Sequence, residues 1–383
     1  MMNILQVIPY FAFTRGGDVN VCYNISKQFC KMGHNVTILT TSFDYDKEDT
    51  DSIPNLTMIP IDYLFNLSLF IYSPKIKDWL YKNIENYDII HLHELRSYQN
   101  NIVTKYAKKY NIPYVLQPHA STPKHVTKSL LKNTYDYIYG NKIMQNAATT
   151  IAVSDEEAYY DKKMNAKEVK VIYNGMNIED YESLPKKGSF NEKYDIQNPY
   201  ILYLGRLDKL KGINHIIEAF SLLPEEFSEY VLVIAGKINE YKEELDSIIE
   251  KKGLEERVIF TGFIDEKDKI SIYHDAELFV NPVKYMGGVS LTVFESIMAN
   301  TPVIVTLESG EVIKKINAGS IVEYGNIESL KNEIVHSLTD KNMTYTQLKN
   351  GQKYIKENLE WKNVSDRIMD VYLKALGEGE FND

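Results

Sequence analysis

The sequence predicts an α/β fold made of two doubly wound domains. Three observations carry that reading. Short β-rich runs alternate with amphipathic segments, the alternation stops at a polar stretch and then restarts, and 383 residues exceed one ordinary core. The first strands are NILQVIP, NVTILT, YDIIHLH, PYVLQPH, ATTIAVS and VKVIYN, and segments such as Val19–Lys31 and Tyr98–Lys109 supply crossover helices. Residues 185–199, within LPKKGSFNEKYDIQNP, lose the periodicity and read as a linker. YILYLG, YVLVIAG, RVIFTG, ELFVNP and TPVIVT form the second set of strands. Domains are therefore expected over 1–184 and 200–360. The closing segment from Trp361 is helical in pattern, with Val364, Ile368, Val371 and Tyr372 on one face.

Composition narrows the function. The 44% hydrophobic and 25% charged fractions are those of a soluble globular protein. A net charge of -10 argues against general nucleic-acid binding, which needs a phosphate-neutralising surface. Cys22 and Cys30 lie eight apart on one expected helix, outside any CxxC, and read as core fillers in a reducing compartment. MMNILQVIPYF has no basic leader region, and the apolar run Ile61–Tyr72 is shorter than the ~20 residues that span a bilayer. A cytoplasmic protein is expected.

Chemically useful residues gather directly after strands: Gly16-Gly17, His119, Arg206 and Gly287-Gly288. Ligands of open α/β sheets bind outside the carboxyl ends of strands, so two such domains facing each other would form a cleft lined by these loops. In YLGRLDKLKGINHIIEAF, Arg206 follows the strand and Lys211 precedes a helix. A guanidinium fork and an ammonium point charge there suit a diphosphate. In NPVKYMGGVSLTVFESIMANTPVIV, Ser290 can cap a helix whose start offers free N–H groups to phosphate, and Glu295 lies about a turn further in. Such a carboxylate suits a ribose diol, or else a core hydroxyl or amide. Gly17 can bring its N–H close to a phosphate or sugar, although TRGGDVN is not G-x-G-x-x-G and so counts against a dehydrogenase.

His119, in LQPHAST, reads equally as structural or catalytic. The spacing of His91 and His93 in IIHLHE can hold a metal, but we read the strand's alternation as sending the two side chains to opposite faces. No metal site is expected; Asp44-Tyr45-Asp46 belongs to a solvated acidic run. From Arg96 to Tyr135 there is no acid, while Arg96, Lys105, Lys108, Lys109, Lys124, Lys128 and Lys132 are basic. That zone reads as a solvated helix face or, with the apolar run Leu64–Tyr72, as a surface for anionic lipid or a phosphorylated acceptor.

Taken in order, GG, GHNVTIL, DIIHLHE, PHA, VSDEE, VIYNGMNIEDY, LGRLDKLKG, VIFTGFI and FESIMANTPVIV resemble the retaining glycosyltransferases of family 4, over nearly the whole chain. The resemblance implies the GT-B fold, two Rossmann-like domains facing a central cleft, with residues 361–383 crossing back to the first. It implies that Arg206 and Lys211 hold the donor diphosphate, that Gly17 adds a backbone contact, and that His119 sits near the donor sugar. Val289, Ser290 and Leu291 would receive sugar or phosphate, Glu295 would bind ribose, and the base would lie near Phe263 and Ile264. No cofactor or metal is implied beyond a UDP- or GDP-linked sugar as donor, and the acceptor is a glycan or lipid-linked molecule. One departure stands out: Gly287 occupies the place of the family's first glutamate, seven residues before the second. Two other readings share the scaffold, a nucleotide-sugar epimerase and a non-catalytic GT-B protein that binds nucleotide sugar or a partner.

Overall fold

The computed structural model describes residues 1–14, 17–45, 52–67, 70–122, 129–284 and 290–378. The chain divides into unit 1, Met1–Gly175 with Trp361–Asp383, and unit 2, Met176–Glu360.

Unit 1 holds strands β1 (Asn3–Val7), β2 (Asn35–Thr41), β3 (Leu56–Ile61), a hairpin of β4 (Phe65–Leu67) and β5 (Phe70–Tyr72), then β6 (Ile89–His93), β7 (Tyr114–Gln117), β8 (Thr149–Ala152) and β9 (Val169–Val171). Its parallel sheet runs β3-β2-β1-β6-β7-β8-β9. Alternate residues feed opposite cores, as a strand's period of two requires. Leu5, Ile90 and Leu116 pack with the helices Ile76–Asn83 and Tyr98–Tyr110. Ile4, Ile89 and Val115 pack with Gly17–Lys31 and Trp361–Ala375. The last helix buries Trp361, Val364, Ile368, Val371 and Tyr372, the face expected from its spacing. Cys22 and Cys30 are buried free thiols in Gly17–Lys31.

Unit 2 holds β10 (Tyr200–Leu204), β11 (Val231–Ala235), β12 (Val258–Gly262), β13 (Leu278–Asn281), β14 (Val303–Thr306) and β15 (Ser320–Val322), all parallel, in the order β12-β11-β10-β13-β14-β15. Each sheet therefore reverses its winding once, beside β1 in unit 1 and beside β10 in unit 2. Those reversals are where open α/β sheets leave a crevice.

The strands that sequence reasoning left out lie at edges. β3 contains Pro60, which cannot donate to a ladder and is tolerated because β3 pairs only with β2 in its sheet. β15 is three residues long and ends the other sheet. Residues 185–199 are not a structureless linker: they contain the helix Ser189–Tyr194, with Phe190 buried. The cap of that helix comes from far along the chain. Asp275 accepts from Gly188 N at 2.6 Å and Phe190 N at 2.7 Å, and local sequence carries no sign of it. The chain passes between units at Gly175–Met176 instead.

Candidate active site

In unit 2 the crevice lies at the carboxyl ends of the neighbours β10 and β13. The loop after β10 is anchored by buried Leu207 and closed by Asp208, whose carboxylate accepts from Leu210 N at 2.9 Å. Gly212 then turns with φ +67, and any Cβ there would strike the Pro282 carbonyl after β13. Lys284 N donates to Leu210 O at 2.8 Å and ties the two loops together. This framework brings Arg206 and Lys211 together. The Arg206 side chain is 75% exposed and 3.7 Å from Asp208. Lys211 is half-buried, and its ammonium is held below the usual lysine range by burial and then by the charge of Arg206. Two cations kept this close with one nearby acid form a ready anion seat.

Beyond β13 comes the helix Leu291–Met298. Its N-cap, Ser290, makes no side-chain cap; the hydroxyl bonds Thr292 Oγ1 at 2.6 Å instead. Gly287, Gly288 and Val289, expected to lead into this start, lie outside the described residues, as does Gly16 before the first helix. Glu295, one turn in, is not a lone acid. Lys269 Nζ donates to its Oε1 at 2.7 Å and Tyr273 Oη to its Oε2 at 3.0 Å. Burial opposes the charge on Lys269, but the Glu295 carboxylate outweighs it and raises that pKa. The phenol of Tyr181 is also pushed up, by burial and then by Glu295. Each carboxylate oxygen still has a second lone pair, and the Glu295 side chain is 13% exposed, so it keeps capacity for a ligand hydroxyl. After β12, Phe263 presents an open ring, 72% exposed, whereas the Ile264 side chain is buried and offers only backbone. Lys269 and Tyr273 escaped sequence reasoning. They sit four apart on the helix Glu266–Asp275, a spacing that puts both on one face, but nothing local links that face to Glu295.

In unit 1, Glu94 follows β6 and His119 and Ala120 follow β7, with φ values of +64, +56 and +60. Such left-handed backbone at non-glycine residues costs energy and gathers at functional sites. His91 and His93 do not face opposite sides: residues two apart share a strand face. Their rings stack at 4.3 Å, and His93 stacks on His119 at 5.0 Å. Burial keeps these imidazoles neutral, His91 down to about 3 and His119 to about 4 despite the opposing pull of Asp18, with His93 also well below its ordinary value.

The hydrogen bonds then fix a tautomer. Gln6 donates through Nε2 to Tyr372 Oη at 3.2 Å, so its Oε1 faces His93 Nε2 at 2.7 Å. His93 donates there and, being neutral, accepts at Nδ1 from His119 Nε2 at 2.7 Å. His119 is left with a lone pair on Nδ1, an atom with no hydrogen-bond partner among the described residues. Gln6, a polar residue inside the apolar run NILQVIP, was the overlooked sign of this relay.

Gly17 opens the first helix and is exposed, with open space where a Cβ would stand. Asp18 is buried and accepts from Tyr10 Oη at 2.8 Å. Burial raises Glu94 and Glu157 to about 8, helped by Asp18 for the first and Asp161 for the second. Glu157 has a structural role. Ser154 Oγ caps its helix by accepting from Glu157 N at 3.0 Å, and Glu157 Oε2 reaches back past the cap to accept from Val153 N at 2.9 Å. Asp44 and Tyr45 are described but Asp46 is not, and no group of three or more His, Cys, Asp or Glu among the described residues is placed to hold a metal.

Known protein families match both halves of the chain. Residues 15–180 match the model of Glycosyltransferase Family 4, and residues 186–354 match Glycosyl transferases group 1. An uncharacterized glycosyltransferase of Methanocaldococcus jannaschii is 25% identical over 378 residues, 94% of this chain and 95% of the relative. The phosphatidyl-myo-inositol mannosyltransferase of Mycolicibacterium smegmatis is 24% identical over 388 residues, 99% of this chain and 95% of the relative. Among solved structures, Anabaena HepE in complex with UDP superimposes with a TM-score of 0.79 at 18% identity, covering 97% of this chain and 100% of that one.

Proposed function

From a chain that is a glycosyltransferase of the GT-B fold by the models matching both its halves, we propose a retaining transfer of a sugar from a nucleotide sugar to a glycan or lipid-linked acceptor. The observation that carries it is the pairing of Arg206 with the charge-strained Lys211 at the winding reversal of the unit 2 sheet. An arriving diphosphate relieves their repulsion. When the bond from the anomeric carbon to the phosphate oxygen breaks, the two cations and the N–H groups at the start of Leu291–Met298 take up the charge on the leaving group. No metal is needed for that step in this reading. A hydroxyl of the acceptor forms the new bond on the same face of the sugar, and its proton passes to the departing phosphate.

Glu295, steadied by Lys269 and Tyr273, is assigned to the ribose hydroxyls, Ser290, Leu291 and Val289 to sugar or phosphate, Gly17 to a backbone contact, and Phe263 to the base. His119 is assigned to a sugar hydroxyl, accepted at Nδ1. The HepE structures contain UDP or UDP-glucose, which favours a UDP-linked donor here, and the mannosyltransferase relative favours a lipid-linked acceptor. We place the enzyme in the cytoplasm, at the inner membrane face where such acceptors are reached.

The test is incubation with UDP- and GDP-sugars, with and without an acceptor panel, followed by NMR of the product's anomeric centre. Transfer with retained configuration is expected. Conversion of donor without acceptor would make it an epimerase. Gly287 in place of the family's first glutamate favours one further reading, a donor-binding protein that transfers nothing, and tight binding without transfer or hydrolysis would establish that.

A further inference from the structure

One helix of unit 1 carries two buried acids that the proposed reaction leaves unused. Glu157 and Asp161 lie four apart on the helix Asp155–Lys163, a spacing that puts both on one face. Both are 0% exposed, and Thr122, which follows β7, is 1% exposed. The three side chains converge. The charge of Asp161 raises the pKa of Glu157, and the Thr122 hydroxyl lies near enough to Asp161 to lower the pKa of that acid. The Ala120 amide also approaches the Glu157 carboxylate.

Their oxygens are not satisfied. Val153 N occupies Glu157 Oε2, but Glu157 Oε1, both carboxylate oxygens of Asp161 and Thr122 Oγ1 have no hydrogen-bond partner. No lysine, arginine or histidine among the described residues lowers the pKa of either acid. Protons alone do not resolve this. A carboxylic acid must still donate its O–H, and Asp161 has no hydrogen-bond acceptor for one. Two acids and a hydroxyl around one buried point match a hard divalent cation in both charge and ligand type. Asp161 can bind through two oxygens, Glu157 and Thr122 through one each, and water or peptide oxygens complete the shell. The all-oxygen set disfavours zinc and copper, which take nitrogen and sulfur.

We infer that Glu157, Asp161 and Thr122 bind a hard divalent cation as a structural ion of unit 1. It takes no part in the departure of the diphosphate. It clamps the turn after β7 to the helix Asp155–Lys163, and that turn carries His119 and Ala120 at φ +56 and +60. Backbone held in that region needs support from its surroundings, and the ion supplies it.

The experiment uses the full chain without nucleotide, stripped with EDTA and kept at about 0.15 M KCl to screen surface acids. Calcium, magnesium and manganese chloride are titrated in turn, followed by calorimetry and thermal melting. One equivalent of at least one of these ions should bind and raise the melt. D161N should weaken that binding by about tenfold or more. T122V removes one ligand but no charge and should weaken it by a smaller factor, which keeps the test open if D161N does not fold. D155N removes the same charge from the exposed start of the same helix and should bind as the wild type does. A cooperative melt shows that each variant is folded. Absence of saturable binding for all three ions, equal binding by the folded D161N and T122V variants, or an equal loss in D155N overturns the inference while leaving the donor site untouched.

Discussion

The two sheets present opposite chemistry at their carboxyl edges. The loops of unit 2 hold charge that is open to solvent, an exposed Arg206 beside a strained Lys211. The loops of unit 1 hold groups stripped of charge: neutral stacked imidazoles and two glutamates that keep their protons up to about 8. One edge is built to attract an anion, and the other to offer fixed hydrogen-bonding groups whose ionisation has been suppressed. In the proposed reaction, a similar layout of strands serves binding in one unit and positioning in the other.

The sharpest way to break that contrast is through His119. If its lone pair accepts from a hydroxyl of the donor sugar, His119→Ala should lower kcat by roughly 5–150-fold, from about 1–3 kcal/mol for the lost hydrogen bond, and weaken UDP-sugar binding while leaving UDP binding alone. His93→Leu, which removes the acceptor for His119 Nε2–H, should lower kcat less and change the ¹⁵N shifts of His119, the sign that its tautomer is no longer fixed. Unchanged ¹⁵N shifts would reduce His93 to packing.

A smaller effect concerns stability against pH. Unfolded imidazoles protonate below 6.5, while native His119 and His91 do so only near 4 and 3, so their contribution is full above 6.5 and is lost as pH falls through that window. The glutamates behave oppositely. Unfolded they release protons near 4.5, native only near 8, so their contribution is full below 4.5 and is lost as pH rises through 8. Urea midpoints should therefore be highest, and nearly flat, between about pH 4.5 and 6.5, and fall on either side. His119→Gln should make the acid limb shallower, since His91 and His93 still contribute to it, and leave the alkaline limb alone; an acid limb of unchanged slope would contradict the buried, neutral imidazole.

What the sequence discloses follows from how local each feature is. Central strands are apolar at both alternating positions and stand out, whereas edge strands are short or interrupted, as β3 is by Pro60. Arg206 and Lys211 are legible because five residues and one strand end hold them together. The partners of Glu295 are not, since Lys269 and Tyr273 come from another helix, 26 and 22 residues away. The relay behind His119 joins Gln6 to Tyr372, 366 residues apart, and only the folded sheet brings them together. The stacked pair His91 and His93 was open to simple counting, because residues two apart share a face.

The central claim is that Arg206 and Lys211 seat the donor diphosphate. Calorimetric titration of UDP, UDP-sugar and free nucleoside into the wild type, R206A and K211A tests it most directly. The account predicts that each variant loses on the order of tenfold or more in affinity for the diphosphates, at about 1.5–3 kcal/mol per charged hydrogen bond, with little change for the nucleoside. Diphosphate affinity unchanged in both variants would contradict it.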